Sequence, residues 1–221
     1  MKKLLFLAAL LFVSDIIEAQ SRKRPSSRSR SQVNVTSEYG IMGGINFNGP
    51  KINALNTGGN ELSDVGEGNF GFHIGLYSTI DFELFAIQPE VYFSQQGGKF
   101  KVNATQENEF KLSLIQIPLL GRYNFLEYFH VLAGPQFGIP IQAEVSFSGG
   151  TGIDVKDQIK GLDVSAVIGI GVTIPEYKVN GSLRWSKGFT EMIEEPGTTS
   201  GSVTSLKNSM IQISASYVIG G

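Results

Sequence analysis

The residues able to do chemistry are few and scattered. The chain has two histidines, His73 and His130, and no cysteine, so disulfides, thiolate nucleophiles and thiolate metal sites are excluded. A hydrolase of the serine type would need one of those imidazoles beside a serine and a carboxylate. Both histidines fall on the small or polar face of alternating segments, but toward opposite ends, so they are not expected to meet. Without that meeting no carboxylate–His–Ser arrangement follows. The acids Glu61, Asp64 and Glu67 lack the spacing of a calcium loop. "VNVTS" and "VNATQ" match glycosylation acceptors, and "PEYKVNGS" reads as a turn. No catalytic residue, cofactor site or metal ligand emerges, and the reading is of a protein that is not an enzyme.

The charges worth following are those inside the alternating segments. "GNFGFHIGLYSTIDF" places Phe70, Phe72, Ile74, Leu76, Ile80 and Phe82 on one face, with Asn69, Gly71, His73, Gly75 and Tyr77 on the other. Period two is the signature of a strand. The pattern returns in "YGIMGGINFN", "FAIQPEVYFSQQ", "IQIPLLGRYNF", "FHVLAGPQFGIPIQAEVSF", "LDVSAVIGIGVTI", "YKVNGSLRWSKGF" and "MIQISASYVI", which makes eight strands. Connections alternate in length. Long ones run over about 49–68, 97–109, 149–161 and 188–208, and short ones lie at 83, 127 and 175–176. That is an up-and-down meander with its long loops at one end.

One face is Phe, Ile, Leu and Val with almost no charge. The other carries Gln88, Glu90, Gln116, Arg122, Gln136, Glu144 and Arg184 among Gly, Ser and Asn. A charge on the lipid side of a membrane barrel costs about 2–4 kcal/mol at mid-membrane. The apolar face is therefore expected outside, against lipid, and the polar face inside a narrow lumen. The fold class is all-β, an eight-stranded antiparallel up-and-down transmembrane barrel with its termini on the short-turn side. Glu90 and Arg122 each lie a few residues above a short turn on neighbouring strands, so they are expected to pair inside the lumen. A channel selectivity element is the functional alternative for that pair.

Ahead of the barrel, "MKKLLFLAALLFVSDIIEAQ" has two lysines, an apolar stretch and a small residue at Ala19. It reads as a secretory signal peptide over residues 1–19. Residues 20–37 include the Arg/Ser-rich "SRKRPSSRSRSQ" and read as a disordered basic linker. From Val33 onward 11 basic residues face 18 acidic ones. The linker could draw anionic headgroups or another polyanion by charge. With an export signal ahead of it, a nucleic-acid partner is not expected. The barrel is assigned to residues 38–221.

"IQPEVYFSQQGGK", "LIQIPLLGRYNF", "GPQFG" and "LRWSKGFTEM" together resemble the PorT-like outer-membrane β-barrel family of Gram-negative bacteria. The resemblance runs from about Glu38 to Gly221. It implies an eight-stranded barrel in the outer membrane, a lipid bilayer around it, and barrel assembly machinery as a partner. Such barrels commonly end in an aromatic residue which that machinery reads; here the last residues are "SYVIGG", a departure in which Tyr217 would have to serve. The expected role is structural or interactive, with the long outside loops as the recognition surface. A small pore or an accessory of a transport or secretion system is the alternative, and a secreted soluble ligand-binding barrel the third.

Overall fold

The computed structural model describes residues 35–49, 51–55, 61–62, 66–82, 84–103, 106–147, 152–193 and 203–221. The expected signal peptide and nearly all of the expected linker lie outside them. Eight long strands follow in chain order. They are β1 (Thr36–Asn48), β2 (Gly66–Asp81), β3 (Phe85–Asn103), β4 (Gln106–Asn124), β5 (Phe129–Phe147), β6 (Asp163–Ile174), β7 (Val179–Gly188) and β8 (Ser209–Gly220). Each pairs antiparallel with its chain neighbour, and β1 also pairs with β8, so the sheet closes on itself. Closure removes every open edge, as a sheet surrounded by lipid requires. No helix among the described residues is long and apolar enough to cross a membrane, and the crossing is made by strands.

The faces divide as the alternation demands. Phe70, Ile74, Leu76, Ile168, Ile170 and Trp185 are exposed on the outside, while Asn46, His73, Gln116, Gln136 and Gln212 are buried within. Phe82, Phe85, Tyr123, Phe129, Tyr177 and Tyr217 lie exposed toward the short-turn end, where a membrane interface favours aromatic rings.

Two expectations about the strands fail, each for a local reason. The sequence reads as a loop over 97–109, yet β3 and β4 stay paired up to Asn103 opposite Gln106. These strands and β5 reach 19 residues each. A tilted crossing takes about 9–11 residues, so the rest stands above the membrane. The second failure is in β5. Leu114 pairs with Pro140 and Ser113 with Gln142, which leaves Ile141 as an extra residue. A one-residue bulge swaps the two faces beyond it. Ala143 is therefore fully buried, and Glu144, expected inside, sits on the outer face opposite Lys111.

The projecting strands change the logic of the interior. Above the polar lumen, Phe110, Leu112 and Leu114 of β4 and Ala143 of β5 pack with Ile159, Met192, Ile193 and Leu206 from the long loops. The Lys160 N–H donates to the Met192 carbonyl at 2.8 Å, and the Met192 N–H to the Leu206 carbonyl at 3.0 Å. Glu191 accepts from the Leu206 N–H and from the Ser205 hydroxyl. Where water replaces lipid outside, apolar side chains again turn inward, and this cluster caps the lumen. Short strands Val203–Lys207, Lys51–Leu55 and Glu61–Leu62 add a separate three-stranded sheet at the loop end.

Candidate functional site

The lumen is the place where the polar residues of this chain converge, and its groups reach across rather than along the wall. Glu90 stands on β3 and Arg184 on β7, four strands apart in a ring of eight and so on opposite walls. Arg184 Nη1 donates to Glu90 Oε2 at 2.7 Å, and both side chains are buried. Gln88 Nε2 donates to the other carboxylate oxygen at 2.7 Å, and Arg184 Nε donates to Ser182 Oγ at 3.1 Å. Pairing plus satisfied lone pairs is what lets two charges stay away from water.

The expected pair of Glu90 with Arg122 does not form. In the register of β3 and β4, Arg122 lies opposite Ala86, four residues below Glu90. That offset is about 13 Å along a strand. Arg122 instead donates from Nε to Asn124 Oδ1 at 2.8 Å and from Nη2 to Thr173 Oγ1 at 3.0 Å.

A second layer sits nearer the loop end. The Tyr92 hydroxyl donates to Gln136 Oε1 at 2.8 Å and approaches Gln212 Oε1 at 3.3 Å. Gln136 Nε2 reaches Ser165 Oγ at 3.2 Å, and Gln212 Nε2 reaches Asn46 Oδ1 at 3.2 Å. Gln116 is fully buried against Gly138, and neither of its amide atoms has a hydrogen-bond partner among the described residues. Leu120, Leu132 and Val167 form an apolar patch within the same lumen.

His73 belongs to an arrangement that reading the sequence missed. Its Nδ1 lies 2.8 Å from Asn46 Oδ1 and its Nε2 lies 2.8 Å from Ser214 Oγ. Asn46 Oδ1 can only accept, so the ring carries its proton on Nδ1 and accepts the Ser214 hydroxyl at Nε2. Gly44 explains the meeting. It pairs with His73 on one side and Ser214 on the other, and a Cβ there would lie 2.8 Å from His73 Cε1. The order serine–histidine–amide resembles that of a nucleophilic triad. All three groups are buried in the barrel interior, however, with Ser214 at 6 % exposure and Asn46 at none. The Ser214 hydroxyl thus faces the packed lumen and not an open cleft. The only signal in the sequence is the inward parity of Asn46, His73 and Ser214, which becomes informative once β1 and β8 are known to close the ring.

His130 stands at the short-turn end, within 3.5 Å of Thr173 Oγ1, and does not approach His73. A cavity of about 10 Å³ lies beside it, bounded by Tyr77, Gln88, Arg122, Asn180, Gly181, Ser182, Arg184 and Ser216. A second, of about 10 Å³, lies under the apolar cap. Each has room for about one water. No group of acids and histidines among the described residues is arranged to hold a metal ion.

A family model described as an outer membrane protein beta-barrel domain matches residues 19–194. Among solved structures, Neisserial surface protein A has 10 % identity and a TM-score of 0.54, with 82 % of this chain and 98 % of that one covered. Ail of Yersinia pestis, solved with the heparin analogue sucrose octasulfate, has 15 % identity and a TM-score of 0.46, covering 83 % and 99 %. The outer membrane protease OmpT from Escherichia coli has 12 % identity and a TM-score of 0.39, covering 86 % and 99 %. The comparison with curated protein sequences found no match.

Proposed function

The chain belongs to the outer membrane protein beta-barrel domain family, and from that premise we propose a non-enzymatic, non-conducting barrel that presents its loop end for recognition. The observation that carries this reading is the bracing of opposite walls by Glu90 and Arg184 at 2.7 Å, with Tyr92 bridging a second layer. A lumen crossed by side chains supports a plug rather than a small pore or transport accessory. The exposed apolar belt supports residence in the bilayer over a secreted soluble barrel. The burial of Ser214 supports a structural use of the Asn46–His73–Ser214 trio.

In this reading the member is of the PorT-like kind, inserted by the barrel assembly machinery after removal of residues 1–19. Residues 20–37 form a periplasmic arm, both termini face the periplasm, and the long loops face outward. A protein partner meets the loops, and a polyanion meets the basic arm. Gln88, Gln116, Gln136, Arg122 and Arg184 then serve the barrel's interior rather than a substrate.

The absence of cysteine makes the test simple. Asp157→Cys sits in an exposed loop-end turn and Glu127→Cys in an exposed short turn. A membrane-impermeant maleimide should label Asp157→Cys on intact cells and Glu127→Cys only after the envelope is opened. The reverse pattern would overturn the orientation and with it the recognition surface.

A further inference from the structure

A charge is costly on the outside of a membrane barrel, yet lysine stands there twice within one small patch. Along β7, Trp185 and Lys187 are exposed on the outer face, and Phe189 continues that face just beyond the strand. Lys187 pairs with Ser209 of β8. The pairing runs on past it, since the Gly188 N–H donates to the Asn208 carbonyl at 2.7 Å. Leu206 and Asn208 are buried while Lys207 between them is exposed, which sets Lys207 on the same outer face. Lys207 therefore lies diagonal to Lys187, roughly 7–8 Å away, within reach of two long side chains. A third lysine, Lys51, is the register partner of Lys207 in the small loop-end sheet.

Among the described residues no carboxylate stands at ion-pair distance from Lys187 or Lys207. Asp163, the only acid in β6, β7 and β8, is buried inside. Glu191 is engaged by the Ser205 hydroxyl and the Leu206 N–H. Lysines in register on paired strands are unfavourable without a counter-charge. The patch lies at the upper rim of the apolar belt, directly above Trp185 and Ile211. Tryptophan with lysine above it marks the level of lipid headgroups. A lone lysine at that height would turn its ammonium to water, whereas two on one face concentrate charge where lipid phosphates lie. We propose that Lys187 and Lys207 bind the phosphate of an anionic lipid whose acyl chains lie against Trp185 and Ile211. The inference rests on the reading that the apolar belt sits in a bilayer, and not on which way the loops face. The bound lipid holds the loop ends of β7 and β8 at headgroup level.

Trp185 is the only tryptophan of the chain, so its fluorescence reports on this patch directly. The full barrel is reconstituted in phosphatidylcholine vesicles that carry a minor fraction of brominated phosphatidic acid or of brominated phosphatidylcholine. Bromine on an acyl chain quenches a neighbouring indole, so the two quenching curves give the relative association of the two lipids. Phosphatidic acid should be preferred by about five-fold or more. Lys187→Gln with Lys207→Gln should abolish the preference; if the pair does not refold, either single variant should lower it. Lys187→Arg with Lys207→Arg should retain it. So should Lys111→Gln with Lys178→Gln, which removes the same charge elsewhere. Inorganic phosphate in the buffer should leave it unchanged. Equal quenching of the parent protein by the two lipids, a preference that survives the glutamine variants, or its loss to free phosphate would overturn the proposal. Quenching by neither lipid would overturn the bilayer reading as well, which tells the two failures apart.

Discussion

Glu90 on β3 and Arg184 on β7 face each other across the full width of the barrel, with Arg184 Nη1 2.7 Å from Glu90 Oε2. Removing one partner leaves the other charged and buried, which costs about 3–5 kcal/mol. Arg184→Met should therefore destabilise by that order. Adding Glu90→Gln to it should recover much of the loss. Urea unfolding in lipid vesicles, arranged as a double-mutant cycle, reads the coupling directly. The same cycle for Glu90 and Arg122 should show little coupling, and a coupling there equal to that of Glu90 with Arg184 would refute the assignment.

The outer face makes its own prediction. Leu76 is 56 % exposed near the middle of β2. Leu76→Arg should cost about 2–4 kcal/mol in a bilayer. Phe70→Arg, toward the loop end of the same strand, should cost about 0–1 kcal/mol beyond the loss of the ring. Equal and negligible penalties at both positions would mean that this face does not meet lipid.

The bulge at Ile141 separates two neighbours sharply. Ala143 is fully buried against the apolar cap, while Glu144 is on the outer face. Glu144→Ala should change stability by no more than about 0.5 kcal/mol. Ala143→Glu should cost about 2 kcal/mol or more, since it puts a charge into an apolar cluster. If Glu144→Ala proves the worse of the two, the face swap is wrong.

Ser214 should be inert despite its 2.8 Å contact with His73 Nε2. A fluorophosphonate probe should label the folded barrel no more than it labels Ser214→Ala. Labelling that disappears in the variant would make the trio a working nucleophile and end the non-enzymatic reading.

Much of the barrel was legible because lipid and lumen impose a period of two. Phe70, Phe72, Ile74 and Leu76 needed nothing else to be placed. The alternation of long and short connections supplied the meander. What escaped depends on registers that no local pattern encodes. The bulge at Ile141 follows from pairing with β4, so alternation alone puts Glu144 on the wrong face. Counting from the turns puts Glu90 beside Arg122, but it contains neither the register nor the reach of arginine across a narrow lumen. The upper parts of β3 and β4 carry Gly97, Gly98, Lys99 and Asn103 and read as loop. Above the membrane a paired hairpin has only its own cross-strand hydrogen bonds and the cap to declare it. The Asn46–His73–Ser214 contact joins residues on β1, β2 and β8, and it became visible only once the ring was closed.

Side chains fill the lumen of this barrel from wall to wall. Gly75 leaves room for Tyr92, because a Cβ at Gly75 would lie 2.3 Å from the Tyr92 Cβ. The glycines of the lumen thus make space for larger neighbours and do not open a path. Single-channel recording of the purified, refolded protein in a planar bilayer tests this most directly, with folding verified separately by its compactness in mild detergent. The parent protein should leave the bilayer silent. Reproducible conductance steps from it, abolished when lumen residues are enlarged, would contradict the plug and make the protein a pore.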